Sequence, residues 1–212
     1  YNQAFYVDAS ASSGYKKNIV QTGNIQNRGI ELAVGYSDTF NKVKVSTNFT
    51  YTINENEIVS LANGAINQNT GEVIHMDYYS KGTLGISGGP TLRLYEGGTM
   101  GDIYINQRLR QSPNGYIWRD PADGTVAIEN TEYRKIGSVL PKYHLGWNGN
   151  VAWNGLSLGF AFTARVGGLV VSDTQAMLDN YGVSETSAIA RQNGGVWIGD
   201  SQVDAEDYYK KV

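Results

Sequence analysis

The most constraining feature of this chain is the alternation of large and small side chains in residues 143–167, which read YHLGWNGNVAWNGLSLGFAFTARVG. Large apolar residues take every second position, and the positions between them hold mainly Gly, Ser, Asn, Thr and Arg. A period of two predicts β-strands. Asn154-Gly155 divides the run and favours a two-residue antiparallel turn, because both residues tolerate positive backbone angles. The stretch therefore predicts one long hairpin with an aromatic-rich apolar face and a small, polar face.

A second hairpin is predicted in residues 28–52, where apolar and polar residues alternate in the same way. The apolar series runs from Ile30 to Tyr36 and again from Val43 to Tyr51, and Asp38 to Asn41 is the expected link. Strands of about 9 to 11 residues are expected, which is the length that crosses a bilayer at the usual tilt. Only about four such strands can be defended from the alternation alone.

The two faces of these hairpins predict two environments. Large apolar residues at alternate positions are expected to face lipid, and their small or polar neighbours are expected to face a water-filled lumen. Trp147 and Trp153 are expected near headgroup zones, where indole rings are favoured. In the later hairpin the expected lipid side carries Leu158, Phe160 and Phe162, and the expected lumen side carries Ser157, Ala161 and Arg165.

Composition excludes several classes of protein. The mean hydropathy is −0.36, and no run approaches the roughly 20 apolar residues of a membrane helix, which leaves alternating strands as the membrane alternative. A net charge of −3 without a Lys/Arg run argues against nucleic-acid binding. The absence of cysteine excludes disulfides and thiolate sites. With 15 Tyr and 4 Trp against 5 Phe, the aromatic residues suit membrane interfaces and sugar-binding surfaces equally well.

The remaining regions predict loops, short helices and the brief strand-like pieces TLRLYE, GDIYIN and YIWRD. Residues 53–140 are polar and rich in Gly, Asn and Asp, and they are expected to lie largely outside the cell, opposite short periplasmic turns. After Val171, Ser172 is placed as the N-cap of a helix. The segment DAEDYYKKV is expected to form another helix, because acids come early and lysines late.

Few residues predict chemistry. Tyr116, Trp118 and Arg119 stand together in the segment NGYIWRDP and could stack on a sugar or clamp a carboxylate, although ordinary packing is the simpler interpretation. His75 and His144 lack a second ligand at metal-binding spacing. Asp120 and Asp123 favour a turn over a calcium loop. No catalytic residue, cofactor site or metal site is therefore predicted, and no enzymatic activity is expected.

Several phrases together resemble the C-terminal half of the SusC/RagA family of TonB-dependent outer-membrane transporters. They are GNIQNRGIELAVGYS, YEGGTMGDIY, IGSVLPKYHLGWNGNVAWNGLSLGFAFTARVGG and AEDYYKKV, and they follow the order of the family over most of the chain. The segment from Ile136-Gly137 to Pro141-Lys142, followed by a long hairpin, is the more specific signal.

The resemblance implies an all-β fold: an antiparallel segment of a large transmembrane β-barrel with long extracellular loops and short loop helices. Residues 1–212 would then be a partial barrel domain without a plug and without the closing C-terminal strand. It further implies active import of oligosaccharides or peptides across the outer membrane of Bacteroidota. The implied partners are a SusD-like surface lipoprotein, the TonB complex through a missing N-terminal part, and outer-membrane lipid.

Two other interpretations stay open on the residues alone. The chain could be a complete small outer-membrane barrel of about eight strands with a structural or adhesive role. It could also be a soluble β-sandwich that binds carbohydrate through Tyr and Trp, in which case the alternating faces would meet in a core.

Overall fold

The computed structural model describes residues 2–8, 16–61, 64, 66, 71–85, 89–199 and 201–211. Within these residues the chain forms mostly strands, with a few short helices towards the end. In chain order the elements are β1 (Asn2–Asp8), β2 (Lys17–Phe40), β3 (Val43–Ser60), β4 (Tyr79–Thr83), β5 (Thr91–Leu94), β6 (Asp102–Leu109), β7 (Ile128–Ser138), β8 (Tyr143–Trp153), β9 (Leu156–Val166), α1 (Asp173–Asn180), α2 (Glu185–Gln192), β10 (Val196–Ile198), β11 (Ser201–Val203) and α3 (Ala205–Tyr209).

The largest sheet has five antiparallel strands in the order β1-β2-β3-β8-β9. The hairpin of β8 and β9 confirms the alternation of residues 143–167, with Trp153 opposite Leu156 across the turn. Asn154 and Gly155 both have positive φ, of 47° and 86°, as the tight turn requires. Both strands have 11 residues, within the predicted length.

The first hairpin corrects two expectations. Its link is not Asp38 to Asn41 but the two residues 41–42, since Phe40 pairs with Val43. Asp38 stays in the strand, where its carboxylate accepts hydrogen bonds from the Tyr36 hydroxyl at 3.0 Å and the Thr39 amide at 2.7 Å. The strands are also longer than the predicted 9 to 11 residues, since β2 has 24 and β3 has 18.

Residues 53–140 contain more regular structure than the alternation predicts. The last residues of β3 fall in this range, and a second sheet has the order β4-β5-β6-β7. Three of its strands are short, since β4 has 5 residues, β5 has 4 and β6 has 8. The predicted helices are confirmed: Ser172 caps α1 by accepting a hydrogen bond from the Gln175 amide at 3.2 Å, and Asp204 caps α3 in the same way.

The chain divides into two compact units. The first contains Tyr1–Lys81, Arg93–Asp102 and Gly137–Leu169, and the second contains Gly82–Leu92, Ile103–Ile136 and Val170–Val212. The first unit has a buried cluster of Ile25, Ile58, Leu61 and Leu94. In the second unit the buried apolar residues are Ile103, Val126, Ala190, Val203 and Ala205. Among the described residues, none of the helices has the length and apolarity needed to span a membrane.

Candidate functional site

The five-stranded sheet presents a continuous apolar face, because the apolar positions of its strands are in register. One row across β2, β3, β8 and β9 is Val34, Phe49, Trp147 and Phe162. The neighbouring row is Leu32, Tyr51, Leu145 and Ala164. Several of these side chains are exposed, such as Val34 at 57% and Phe162 at 62%. A surface of this kind marks contact with lipid or with another protein.

The opposite face of the same strands is small and polar. Its rows include Gly35, Asn48, Asn148 and Ala161, and next to them Ala33, Thr50, Gly146 and Thr163. Charge appears in the row of Glu31, Thr52, His144 and Arg165. A sheet with a large apolar exterior and a small polar interior has the design of a membrane barrel wall, since a soluble barrel fills its interior with large residues.

Trp147 lies elsewhere than expected. It is in the middle of β8 rather than at an end, whereas Trp153 is at the turn end of the strand. The indole Nε1 of Trp147 donates a hydrogen bond to the Thr47 hydroxyl at 2.9 Å. This bond provides the polar partner that an indole needs when no water is available. Thr47 is therefore the hydrogen-bond partner of Trp147 within the apolar face, a role that the alternation does not identify.

Phe160 is more covered than its neighbours on the apolar face. It packs edge-on against Trp147, with ring centroids 4.9 Å apart. A Cβ built on Gly149, its cross-strand partner, would lie 2.6 Å from the Phe160 ring. The ring therefore occupies the space that the glycine leaves, an arrangement that stabilises glycine in a sheet. Among the residues with a predicted lipid-facing role, Leu158 and Phe162 are the more exposed.

The structure places Tyr116, Trp118 and Arg119 in the second unit, in a short hairpin-like loop. Ile117 bridges Gln111 across the turn Pro113-Asn114-Gly115. Tyr116 is 64% exposed, whereas Trp118 is half-buried. We call Tyr116, Trp118 and Arg119 the loop platform. The exposed phenol ring of Tyr116 is the part of it that is available for stacking on a ligand.

Arg119 is engaged within the protein. Its Nε donates to the Gly124 carbonyl at 3.2 Å, and its Nη2 donates to the Gln202 carbonyl at 2.9 Å. These bonds connect the loop to β11, so the guanidinium is not free to clamp a carboxylate with its full set of donors. Its role in binding stays a prediction.

Arg110 is a neighbour of this platform that the sequence reading missed. Its guanidinium carbon lies 4.3 Å from the centre of the Trp118 ring, within the range of a cation–π contact. The signal that could have identified it is the turn sequence Pro113-Asn114-Gly115, because a hairpin around it brings residue 110 opposite residue 118. The Trp118 amide indeed donates to the Arg110 carbonyl at 2.8 Å.

The remaining candidates form local contacts. His75 lies 2.9 Å from the carboxylate of Asp77, and His144 is on β8. Asp120 and Asp123 accept hydrogen bonds from the nearby Ala122 and Thr125 amides, which confirms the predicted turn. In the part of the chain that the structure describes, no three His, Cys, Asp or Glu side chains are grouped as metal ligands.

A cavity of about 410 Å³ lies in the second unit. Its lining includes Gln107, Asp173, Gln175, Asn180, Tyr209 and Lys210. Amides, carboxylates and a phenol ring are groups that hydrogen-bond and stack on sugars or peptides. Several of them are already engaged, since Gln175 donates to Asp179 and Lys210 pairs with Glu206.

The known proteins that this chain resembles include a curated receptor and a solved importer structure. The TonB-dependent receptor P3 of Formosa agariphila is 22% identical over 183 residues, which cover 82% of this chain and 18% of that receptor. The solved structure of the RagAB peptide importer in its open-open state has a TM-score of 0.52 and 19% identity, covering 79% of this chain and 17% of the matched chain. No protein-family model matches.

This chain resembles part of a TonB-dependent receptor. The resemblance drawn from the sequence phrases is thereby confirmed, as is the all-β class with an incomplete barrel wall. The outer-membrane location expected of a TonB-dependent receptor is confirmed by the same matches. The chain spans less than a fifth of the length of either matched protein.

Proposed function

We propose that this chain forms part of the barrel of a SusC-like, TonB-dependent transporter that imports a nutrient across the outer membrane. The observation that carries the proposal is the five-stranded sheet, whose exposed face is apolar and whose opposite face is small and polar. Such a wall separates lipid from a water-filled passage. The similarity to a TonB-dependent receptor supports the same assignment.

The proposed cargo is an oligosaccharide or a peptide. A peptide is supported by the similarity to a structure described as a peptide importer. An oligosaccharide is supported by the exposed ring of Tyr116 and by the amide-rich cavity, because sugars stack on aromatic rings and bind to amides. The proposed partners are a SusD-like lipoprotein at the outer surface, the TonB complex and outer-membrane lipid. No cofactor and no catalytic step enter the proposal.

Uptake in the native bacterium tests this function. Deletion of the gene is expected to abolish growth on one peptide or oligosaccharide mixture as sole nutrient, and deletion of the TonB system is expected to have the same effect. Affinity purification of the intact transporter is expected to recover a surface lipoprotein. Normal uptake of every mixture after gene deletion would contradict the proposal.

We further propose that residues 1–212 work only within a longer polypeptide. A barrel that holds a plug has about 22 strands, which need more than roughly 200 residues before loops are counted. The chain expressed alone would expose the outer strands β1 and β9 together with the apolar face, and both invite association. Size measurement in plain buffer should therefore show aggregates. A monodisperse, heat-resistant monomer would instead favour the soluble sandwich, and a stable monomer in detergent the small barrel.

A further inference from the structure

The alternation of β2 and β3 inverts at one level of the sheet. On one side of this level Ile30 pairs with Ile53, and both belong to the apolar face. Two residues further, Arg28 pairs with Glu55 on that same face, and both side chains are exposed. Beyond this level the apolar residues Ile25 and Ile58 have the parity of the opposite face.

The opposite face also changes character at this level. Ile25 and Ile58 are 4% and 0% exposed, because they pack against Leu61 and Leu94 within the first unit. Towards the turn, the same face carries mainly small and polar residues, such as Ala33, Gly35 and Asn48. In a lipid bilayer the apolar side chains of a barrel strand point outward, whereas in water they point inward and are buried by the protein. The change of apolar face along β2 and β3 is therefore the change expected where a strand leaves the membrane.

The dimensions of the apolar face agree with a membrane boundary at this level. On β3 the apolar series runs without a charged residue, and Val43 and Ile53 mark its two ends. At about 3.3 Å per residue they are about 33 Å apart along the strand, which at a tilt of about 40° spans about 25 Å. This is the height of the apolar band of outer-membrane barrels.

Aromatic residues stand at both ends of this band. The Tyr51 and Tyr143 rings are 5.7 Å apart near the upper end, where Tyr143 begins β8. Trp153 pairs with Val43 beside Phe40 at the turn end. Amphipathic rings at two levels are typical of the two membrane interfaces.

We infer that the outer-leaflet boundary crosses the sheet between Ile30 and Arg28, and that Gln26, Arg28, Glu55 and Glu57 lie at the level of the phosphorylated lipid headgroups there. All four side chains are exposed, and they lie on the face that is apolar between Ile30 and the turn. The Arg28 guanidinium donates to the Gln26 amide oxygen at 2.9 Å, which leaves other N–H groups for phosphate. This inference rests on the proposed barrel.

Site-specific lipid quenching tests the boundary, and the chain is suited to it because it contains no cysteine. Arg28→Cys, Leu32→Cys and Ala33→Cys would each be made in the full-length transporter, with other cysteines replaced by serine, and labelled with a fluorophore. The proteins would be reconstituted in phosphatidylcholine vesicles containing a nitroxide either on the headgroup or on the acyl chain. Retained heat-dependent gel mobility would show that each variant is folded.

The Arg28 probe is expected to lose emission only with headgroup nitroxide, and the Leu32 probe only with acyl-chain nitroxide. Ala33 has the opposite parity and pairs with Thr50, so its probe should respond to neither. Acyl-chain quenching at Arg28, or no headgroup quenching there, would overturn the inferred boundary while leaving the barrel intact. Absence of all lipid quenching at Leu32 would instead refute the proposed barrel itself.

Discussion

Phe162 and Ala161 are adjacent on β9 but face opposite sides of the sheet. Phe162 is in the row of Trp147 on the apolar face, and Ala161 pairs with Asn148 on the polar face. An arginine at a lipid-facing site in the middle of the membrane costs roughly 2 to 4 kcal/mol, whereas a lumen site is wet. Phe162→Arg should therefore reduce assembly in the outer membrane strongly and Ala161→Arg only slightly.

The measurement is the fraction of full-length protein that shows heat-dependent gel mobility in isolated outer membranes. Phe162→Leu is the matched control, because it removes the ring without adding charge. Equal folded fractions for both arginine variants would contradict the assignment of Phe162 to the lipid side and Ala161 to the lumen side.

Thr47 and Trp147 form a second test at the residue scale. Thr47→Val keeps the side-chain shape but removes the acceptor of the indole N–H, which is 2.9 Å away in the structure. An unsatisfied buried donor costs about 1 to 3 kcal/mol, and lipid offers no replacement. The unfolding free energy of the reconstituted transporter should fall by about this amount.

The control is the same substitution in a Trp147→Phe background, where no indole N–H is left to satisfy. There Thr47→Val is expected to cost less, and the difference measures the coupling of the pair. An equal cost in both backgrounds would assign the effect to Thr47 alone, for example through its hydrogen bond to the Asn148 carbonyl at 3.2 Å.

At the scale of elements, the hairpins could be predicted because their pattern is local. Asn154-Gly155 and the alternation on either side of it are sufficient to define the pairing of β8 with β9. The first turn was misplaced because Ser37, Asp38 and Thr39 resemble a turn, whereas Asp38 is stabilised within the strand by Tyr36 and Thr39. Local composition does not distinguish a turn from a strand whose polar side chains hydrogen-bond to one another.

Two other features of the strands could not be predicted from alternation. The part of β2 before Ile30 was missed because the apolar parity inverts at Ile25, which interrupts the pattern. The strand-like pieces TLRLYE and GDIYIN do form β5 and β6, but their pairing, such as Leu92 with Ile103, spans a loop and is not given by alternation. The loop platform was predicted as neighbours in sequence, but the contacts of Trp118 with Arg110 and of Arg119 with Gln202 depend on the fold.

The helix pair α1–α2 gives a prediction for pH. Asp179 accepts hydrogen bonds from Ser184, Gln175 and Thr186. The bond from Ser184 is the largest cause that lowers the pKa of Asp179; partial burial opposes it, and Gln175 and Thr186 lower the pKa further. The stabilisation is present above the unfolded-state pKa of about 4 and is lost as pH falls through the lower folded-state pKa.

Amide exchange of residues 173–192 in the intact transporter, corrected for its intrinsic pH dependence, measures this effect. Protection should decrease as the pH falls below about 4. Asp179→Asn should remove the part of this pH dependence that comes from the Asp179 carboxylate. Glu185→Gln is the control, because it removes an exposed carboxylate that does not bond to Ser184, Gln175 or Thr186, and it should preserve that part. A pH response that survives Asp179→Asn would assign it to other groups.

At the scale of the whole molecule, the connections predict the orientation in the membrane. The two-residue turns at Asn41-Lys42 and Asn154-Gly155 lie at one end of the sheet, and the long connection between β3 and β8 leaves from the other. Outer-membrane barrels have short periplasmic turns and long outer loops. Asn114→Cys should therefore react with an impermeant thiol reagent on whole cells.

Lys42→Cys is the matched periplasmic variant, exposed in a short turn. It should react only after the outer membrane is permeabilised. Labelling of Lys42→Cys on intact cells, with Asn114→Cys protected, would reverse the topology.

The pairing of β3 with β8 has a consequence for how such proteins diversify. Thr52 pairs with His144, although 91 residues separate them in the sequence. Residues 61–142 therefore connect neighbouring strands at one end, as an enlarged hairpin loop does. Insertions, deletions or exchange of this segment among homologues need not alter a single hydrogen bond between β3 and β8. In a transporter of the proposed kind, this segment is therefore free to vary, while the wall has to keep its strict alternation.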